Sequence, residues 1–278
     1  MKILVTGANG YLGQGIIKKL LDDGNVVVAN DFLNTNIDSR ASFIKGDLFA
    51  TDDPFGFFDK PECVLHLAWR NGFKHNHESH IQDLPKHVNF IDKMIKGGVK
   101  KVCVLGTMHE IGFYEGCIKE NTPCNPQNFY GISKNALRMV VELLCNNSNV
   151  ILQWLRGFYI VGNESFGDSI FSKISSAEKN GESIFPFTSG KNQYDFIDYD
   201  KFCCFVSAAV QQNEVNGIIN ICSGFPQKLS DRVECFISER KYKIKLSYGS
   251  YPDRKYDSKA VWGDNEKIET IMEHYKNK

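Results

Sequence analysis

No stretch of the sequence approaches the ~18 continuous apolar residues of a membrane span, so an integral membrane protein is not expected. No sign of charge dominates. With 33 basic and 33 acidic residues interspersed and a formal net charge of zero, there is no overall field to draw in a polyanion, and nucleic acid is not an expected partner. No C-x-x-C pair occurs among the nine scattered cysteines, which excludes a zinc knuckle and gives no hint of a disulfide framework; reduced, largely buried thiols are the expectation. Low-complexity tracts, internal repeats and flexible linkers are missing as well, and the eight prolines are dispersed, so independent hinged domains are not visible. The first seven residues, Met1 to Gly7, read as a buried strand entering a turn and not as a secretion leader, so a cytoplasmic protein starting at Met1 is expected.

What remains is an ordinary globular composition, 42% hydrophobic and 24% charged, with a distinct rhythm. Short β-rich runs at Lys2–Val5, Val26–Ala29, Cys63–Leu67, Val102–Leu105 and Val150–Leu155 alternate with amphipathic segments at Gln14–Leu21, Lys86–Lys96 and Ile132–Leu144. This alternation predicts an α/β fold, a doubly wound parallel Rossmann sheet with helices on both faces, and a smaller C-terminal lobe. A nucleotide-binding domain is expected over 1–162, with 194–223 returning to it, and a substrate lobe over 163–193 and 224–278.

The run Thr6-Gly7-Ala8-Asn9-Gly10-Tyr11-Leu12-Gly13 follows the first strand and opens a helix. Gly7 permits a tight turn, Gly10 a close approach of the backbone to a pyrophosphate, and Gly13 close helix packing, while the helix N-terminus supplies amide donors. Asn9, Tyr11 and Leu12 complete this cofactor turn. Asp31 ends the second strand roughly 20 residues on, where a carboxylate can accept the ribose hydroxyls of NAD; it would repel a 2′-phosphate, which favours NAD(H) and makes NADP(H) the second choice despite Arg40 and Lys45 downstream. Asp47 and Leu48 after the next short strand, and Leu67 and Ala68 after His66, are placed along the same cofactor.

Tyr130 and Lys134 stand at i and i+4, so on a helix they share a face about 6 Å apart along the axis. A tyrosine with a neighbouring cation becomes a competent proton exchanger, and the ammonium can also hold the nicotinamide ribose. Thr107 emerges at the carboxyl end of a central strand, where its hydroxyl can orient a substrate oxygen. His109, two residues on, is a possible second acid or base with a natural pKa near neutrality. His75, His77 and His80 lack the acidic spacing of a coordination site; a solvated helix start explains them better, and no metal is expected.

Taken in order, the glycine turn, His66-Leu67-Ala68, Thr107, Tyr130-Gly131-Ile132-Ser133-Lys134, Asp195-Phe196-Ile197 and Asn220-Ile221-Cys222-Ser223-Gly224 resemble the extended short-chain dehydrogenase family of nucleotide-sugar epimerases, dehydratases and 4-keto reductases. The resemblance covers nearly the whole chain. It implies a Thr107, Tyr130 and Lys134 catalytic triad, NAD on the N-terminal sheet, a nucleoside diphosphate sugar in the lobe, and a homodimer formed through the helices at Lys86–Lys96 and Ile132–Leu144. The family's sugar 4,6-dehydratases carry an acidic pair after the catalytic threonine; Met108 and His109 stand there instead, with Glu110 one place beyond. Two further departures, Tyr159 for a usual Asn and Tyr194 for a usual Arg, weigh against a standard 4-epimerase. The expected reaction is therefore NAD(P)H-dependent reduction of a nucleotide-linked, dTDP-type 4-keto-6-deoxy sugar, with Tyr130 as proton donor, Met108 and Tyr159 at the sugar and Arg254 on the pyrophosphate. A 4-epimerase is the alternative, and a catalytically silent NAD-binding sensor the alternative of another class.

Overall fold

The computed structural model describes residues 1–163, 169–253 and 258–276. Seven strands form one wholly parallel sheet in the order Gly217–Ile221, Ile151–Gly157, Lys101–Thr107, Cys63–His66, Lys2–Thr6, Val26–Asp31 and Ser42–Lys45. The central strands read as near-continuous apolar runs because helices cover both faces. Helix Gly13–Asp22 packs on one face with Tyr199–Val210, around a core that includes Ile3, Val5, Ile16, Leu20 and Phe202. Helices Ser79–Gly97 and Phe129–Ser148 pack against each other, and the second core joins them to Leu4, Val64, Val102 and Trp154. Chain order reverses between Lys2–Thr6 and Cys63–His66, which lie side by side with Thr6 opposite His66. A crevice opens at the carboxyl ends of strands at such a switch point, and ligands bind there.

A smaller mixed sheet carries the lobe. Gln193–Asp198 is its centre, antiparallel to Pro226–Lys228 and parallel to Ala260–Gly263 and Tyr159–Val161. Several segments cross the division expected from sequence: Tyr159–Val161 and most of Gln193–Asp198, both expected in the nucleotide-binding domain, are strands of the lobe's sheet. Gly116–Ile118, from the first half, pairs with Ala260–Gly263. Helix Glu266–Lys276, from within the 224–278 segment, returns to the large sheet, because Ile268, Ile271 and Met272 form its apolar stripe and bury into the first core.

Candidate active site

The carboxyl ends of the central strands and the lobe together enclose a cleft of about 1800 Å³. At its floor the chain turns sharply at Gly7, whose φ of +67° is costly for any other residue; a Cβ there would stand 2.8 Å from the backbone of Ala68. The helix that follows starts at Gly13 with Leu12 as its N-cap, which offers no side-chain bond, so its first amides remain available to a ligand. Gly7, Gly10, Tyr11, Leu12 and Gly13 all line the cleft, as do Asp31, Asp47, Leu48, Leu67 and Ala68. Asn9 works from behind: its Oδ1 accepts the amide of Asn36 at 2.8 Å and so ties the segment after the second strand to the glycine turn. Asp31 accepts the amides of Asn9 at 2.9 Å and Phe32 at 2.7 Å, which fixes its carboxylate at the cleft wall. Arg40 is turned away, paired with Asp22 and Asp38 at 2.7 Å each.

Across the cleft, Thr107 ends its strand and caps a short 3-10 turn, Met108–Glu110, accepting the amide of His109 at 3.3 Å. Helix Phe129–Ser148 begins opposite, because Asn128 Oδ1 caps it by accepting Gly131 N–H at 2.8 Å. Its first turns bring Tyr130 and Lys134 to the cleft beside Thr107. The Tyr130 amide donates to the carbonyl of His75 at 2.9 Å, which pins the 70s loop over the helix start. Burial pushes the Tyr130 phenol up, the Thr107 hydrogen bond opposes this, and the charge of Glu110 adds to it. Lys134 donates to the carbonyl of Leu105 at 2.8 Å and lies 4.0 Å from the centre of the Trp69 ring. Burial lowers its pKa to about 7, with Glu110 pulling the other way.

Glu110 is no displaced catalytic acid. It is fully buried behind the threonine, where its carboxylate accepts the Thr107 amide at 2.7 Å and the Trp154 indole N–H at 2.9 Å and faces the equally buried Arg156 at 3.4 Å. Gly106 makes the approach possible, since a side chain there would collide with the Trp154 indole and with Glu110. The sequence carries a signal for this arrangement: Trp154 and Arg156 alternate on one face of a central strand, and an inward guanidinium there demands a buried acid.

The histidines also depart from expectation. His75 and His80 are not a solvated helix start. His75 stacks on Tyr130 with ring centres 5.5 Å apart and a 12° tilt, and its ring centre lies 4.3 Å from that of His109. His80 is buried, accepts the Trp69 indole N–H at 2.9 Å and has its ring centre 5.3 Å from that of Tyr130. Only His77 keeps the expected part, bonding Ser79 at the helix start. His109 lies against Tyr130, and burial with the neighbouring His75 lowers its pKa to about 4. Among the described residues no group of His, Cys, Asp and Glu could hold a metal ion.

On the lobe side, Met108 packs in one apolar cluster with Tyr159 and Tyr194, whose ring centres are 4.7 Å apart. Phe187 belongs to the lobe's own core, edge-on to Tyr248. Arg254 lies outside the described residues. The cleft's Arg70 and Lys86 are both paired with Asp83. No helix of the described residues is long and apolar enough to cross a membrane.

Comparison with known proteins agrees with this geometry. A dTDP-6-deoxy-L-talose 4-dehydrogenase (NAD(+)) of Aggregatibacter actinomycetemcomitans is 42% identical over 269 residues, spanning 95% of this chain and 99% of that protein. A putative UDP-glucose 4-epimerase of Methanocaldococcus jannaschii is 31% identical over 97% of this chain and 92% of its own. The fold matches the UDP-glucose 4-epimerase of Thermotoga maritima with a TM-score of 0.81 at 22% identity, covering 97% of this chain and 92% of that one. The model of the NAD dependent epimerase/dehydratase family matches residues 3–222, and the chain belongs to that family.

Proposed function

We propose that this protein is a nucleotide-sugar oxidoreductase that interconverts a 4-keto and a 4-hydroxy group on a dTDP-linked 6-deoxy sugar, with NAD(H) as the redox partner. The observation that carries the reading is the placement of Thr107, Tyr130 and Lys134 in one cleft with the cluster of Met108, Tyr159 and Tyr194. Met108 and the faces of the two tyrosine rings offer the methyl group of a 6-deoxy sugar apolar contact. The residues also fit the cofactor: the Gly7 cradle, the uncapped helix start and the fixed Asp31 carboxylate accommodate a dinucleotide with a free 2′-hydroxyl. Arg40, committed to Asp22 and Asp38, gives a 2′-phosphate no help. The 42% identical relative, named as an NAD(+) dehydrogenase of the same sugar position, supports both substrate class and cofactor.

When bound, the reduced nicotinamide supplies hydride to C4. Thr107 orients the C4 oxygen, and Tyr130, kept protonated at neutral pH by its buried setting, donates the proton that this oxygen needs. Lys134 holds the ribose and restores the tyrosine's charge balance. The same groups run the reverse oxidation, for which Tyr130 must first lose its proton. Glu110, sealed behind Thr107, is not available as an acid or base for elimination of water. Arg254 is the proposed pyrophosphate contact, and the lobe's Tyr159 a sugar contact. The test mixes the protein with NADH or NADPH and a panel of nucleotide-linked 4-keto-6-deoxy sugars. Stoichiometric loss of reduced nicotinamide with one sugar, lowered at least ~10²-fold by Tyr130→Phe, is expected. Interconversion of a nucleotide-hexose pair without net cofactor turnover would make it a 4-epimerase and overturn this reading.

A further inference from the structure

A second array of buried polar groups crosses the switch point of the sheet below the catalytic residues. Thr6, fully buried, accepts the amide of Ala68 at its Oγ1 at 3.2 Å, and the same hydroxyl lies 2.9 Å from His66 Nδ1. His66 Nε2 lies 2.8 Å from His87 Nδ1. Only one proton arrangement pairs every polar atom of the Thr6 and His66 side chains. If His66 donated through Nδ1, the Thr6 hydroxyl hydrogen would be buried without an acceptor among the described residues, at a cost of about 1–3 kcal/mol. The hydroxyl therefore donates to His66 Nδ1, His66 Nε2–H donates to His87 Nδ1, and the proton of His87 is left on Nε2.

His87 is 4% exposed and lines the cleft, and Nε2 is the one polar atom of its ring without a partner among the described residues. Its ring cannot turn freely: Trp69 stacks on it with centres 4.4 Å apart, and Phe49 meets it edge-on at 4.9 Å. Burial and the ammonium groups of Lys134 and Lys86 hold its pKa at about 3, so it is a neutral donor at any working pH.

We propose that Thr6, His66 and His87 form a one-way hydrogen-bond relay whose purpose is to present His87 Nε2–H to an oxygen, hydroxyl or phosphate, of the bound pyridine dinucleotide. The relay begins at the residue that opens the glycine turn and runs between the two strands where the chain order reverses, which places its exit on the cofactor's side of the cleft. The inference rests on the proposed binding of NAD(H), and it adds a donor that the glycine turn and the Tyr130–Lys134 pair do not supply.

Two measurements on the full-length protein test it. Histidine-selective 15N NMR is expected to find both His66 and His87 protonated at Nε2 and bare at Nδ1; a proton on His87 Nδ1 would overturn the relay. Calorimetric titration with NADH alone is expected to show binding about tenfold weaker in His87→Phe, which keeps the stacked ring and loses the donor, with partial recovery in His87→Asn. Thr6→Val, which leaves the relay without its first donor, is expected to weaken NADH as well. NADH affinity in His87→Phe within twofold of the unmodified protein, or a loss confined to dTDP affinity, would overturn the assignment to the cofactor while leaving the oxidoreductase reading intact. If the unmodified protein binds no NADH, the cofactor reading itself falls and this assignment with it.

Discussion

Glu110 stands one shell behind the chemistry, yet its charge reaches both Lys134 and Tyr130, and its carboxylate fixes the Thr107 backbone. Glu110→Ala would leave the Arg156 guanidinium buried without its counter-ion. We expect a loss of about 3–5 kcal/mol in urea unfolding, against a smaller loss in Glu110→Gln, which keeps the hydrogen bond to Thr107. A loss under 1 kcal/mol in the alanine variant would show that Arg156 finds another partner. Lys134 makes a prediction about pH. Its pKa of about 7 in the folded protein lies below the ~10.4 of a free lysine, so between these values the unfolded chain binds more protons than the folded one. The ligand-free protein therefore gains stability from this residue as pH rises from 7 towards 10, by at most ~1.4 kcal/mol per pH unit. Below pH 7 both states carry the proton and the slope vanishes. Unfolding curves of Lys134→Met should be flatter across that window than those of the unmodified protein; parallel curves would place the Lys134 pKa near its ordinary value.

Elements place these residues, and the helix Phe129–Ser148 does so with little tolerance. Tyr130 sits in its first turn, so the Asn128 cap that starts the helix also sets the position of the phenol. Asn128→Ala should cost about 1 kcal/mol in stability and lower turnover more than it weakens NADH binding, whereas Asn128→Asp, which can still cap, should retain both. Equal kcat in the alanine variant would mean that the His75 carbonyl alone holds Tyr130. Elements of this kind were legible in advance. The strand runs, the glycine turn and the i, i+4 spacing of Tyr130 and Lys134 each depend on local pattern, and the parallel sheet follows from their alternation. Contacts made across the sheet were not. Nothing local relates Glu110 to Arg156, or Thr6 to His66 and His87, because each pair is brought together by strand order; and His75 and His80 look solvated until the 70s loop folds back over Tyr130. The sequence assigns the segment 224–278 whole to the lobe, and the return of Glu266–Lys276 to the large sheet is likewise set by the fold and not by local pattern.

At the scale of the whole molecule, one helix carries several exposed apolar residues. Phe129, Ile132, Met139, Val140 and Leu143 of the Phe129–Ser148 helix are exposed, with Ile81 of the helix packed beside it. Such a face is larger than scattered surface residues need explain, and it suits a twofold pairing of two such helices per subunit. Light scattering should give twice the chain mass, and Leu143→Glu should yield monomers; a monomeric unmodified protein would remove the proposal. The distribution of indoles has its own consequence. Of the three tryptophans, Trp69 lies against Lys134 and His87, and Trp154 donates to Glu110 directly behind Thr107. Two of the molecule's three indoles thus bracket its reacting centre, one at the cleft wall and one behind Thr107, so the tryptophan emission of the unlabelled protein is an optical record of what occupies the site and of the charge that supports it.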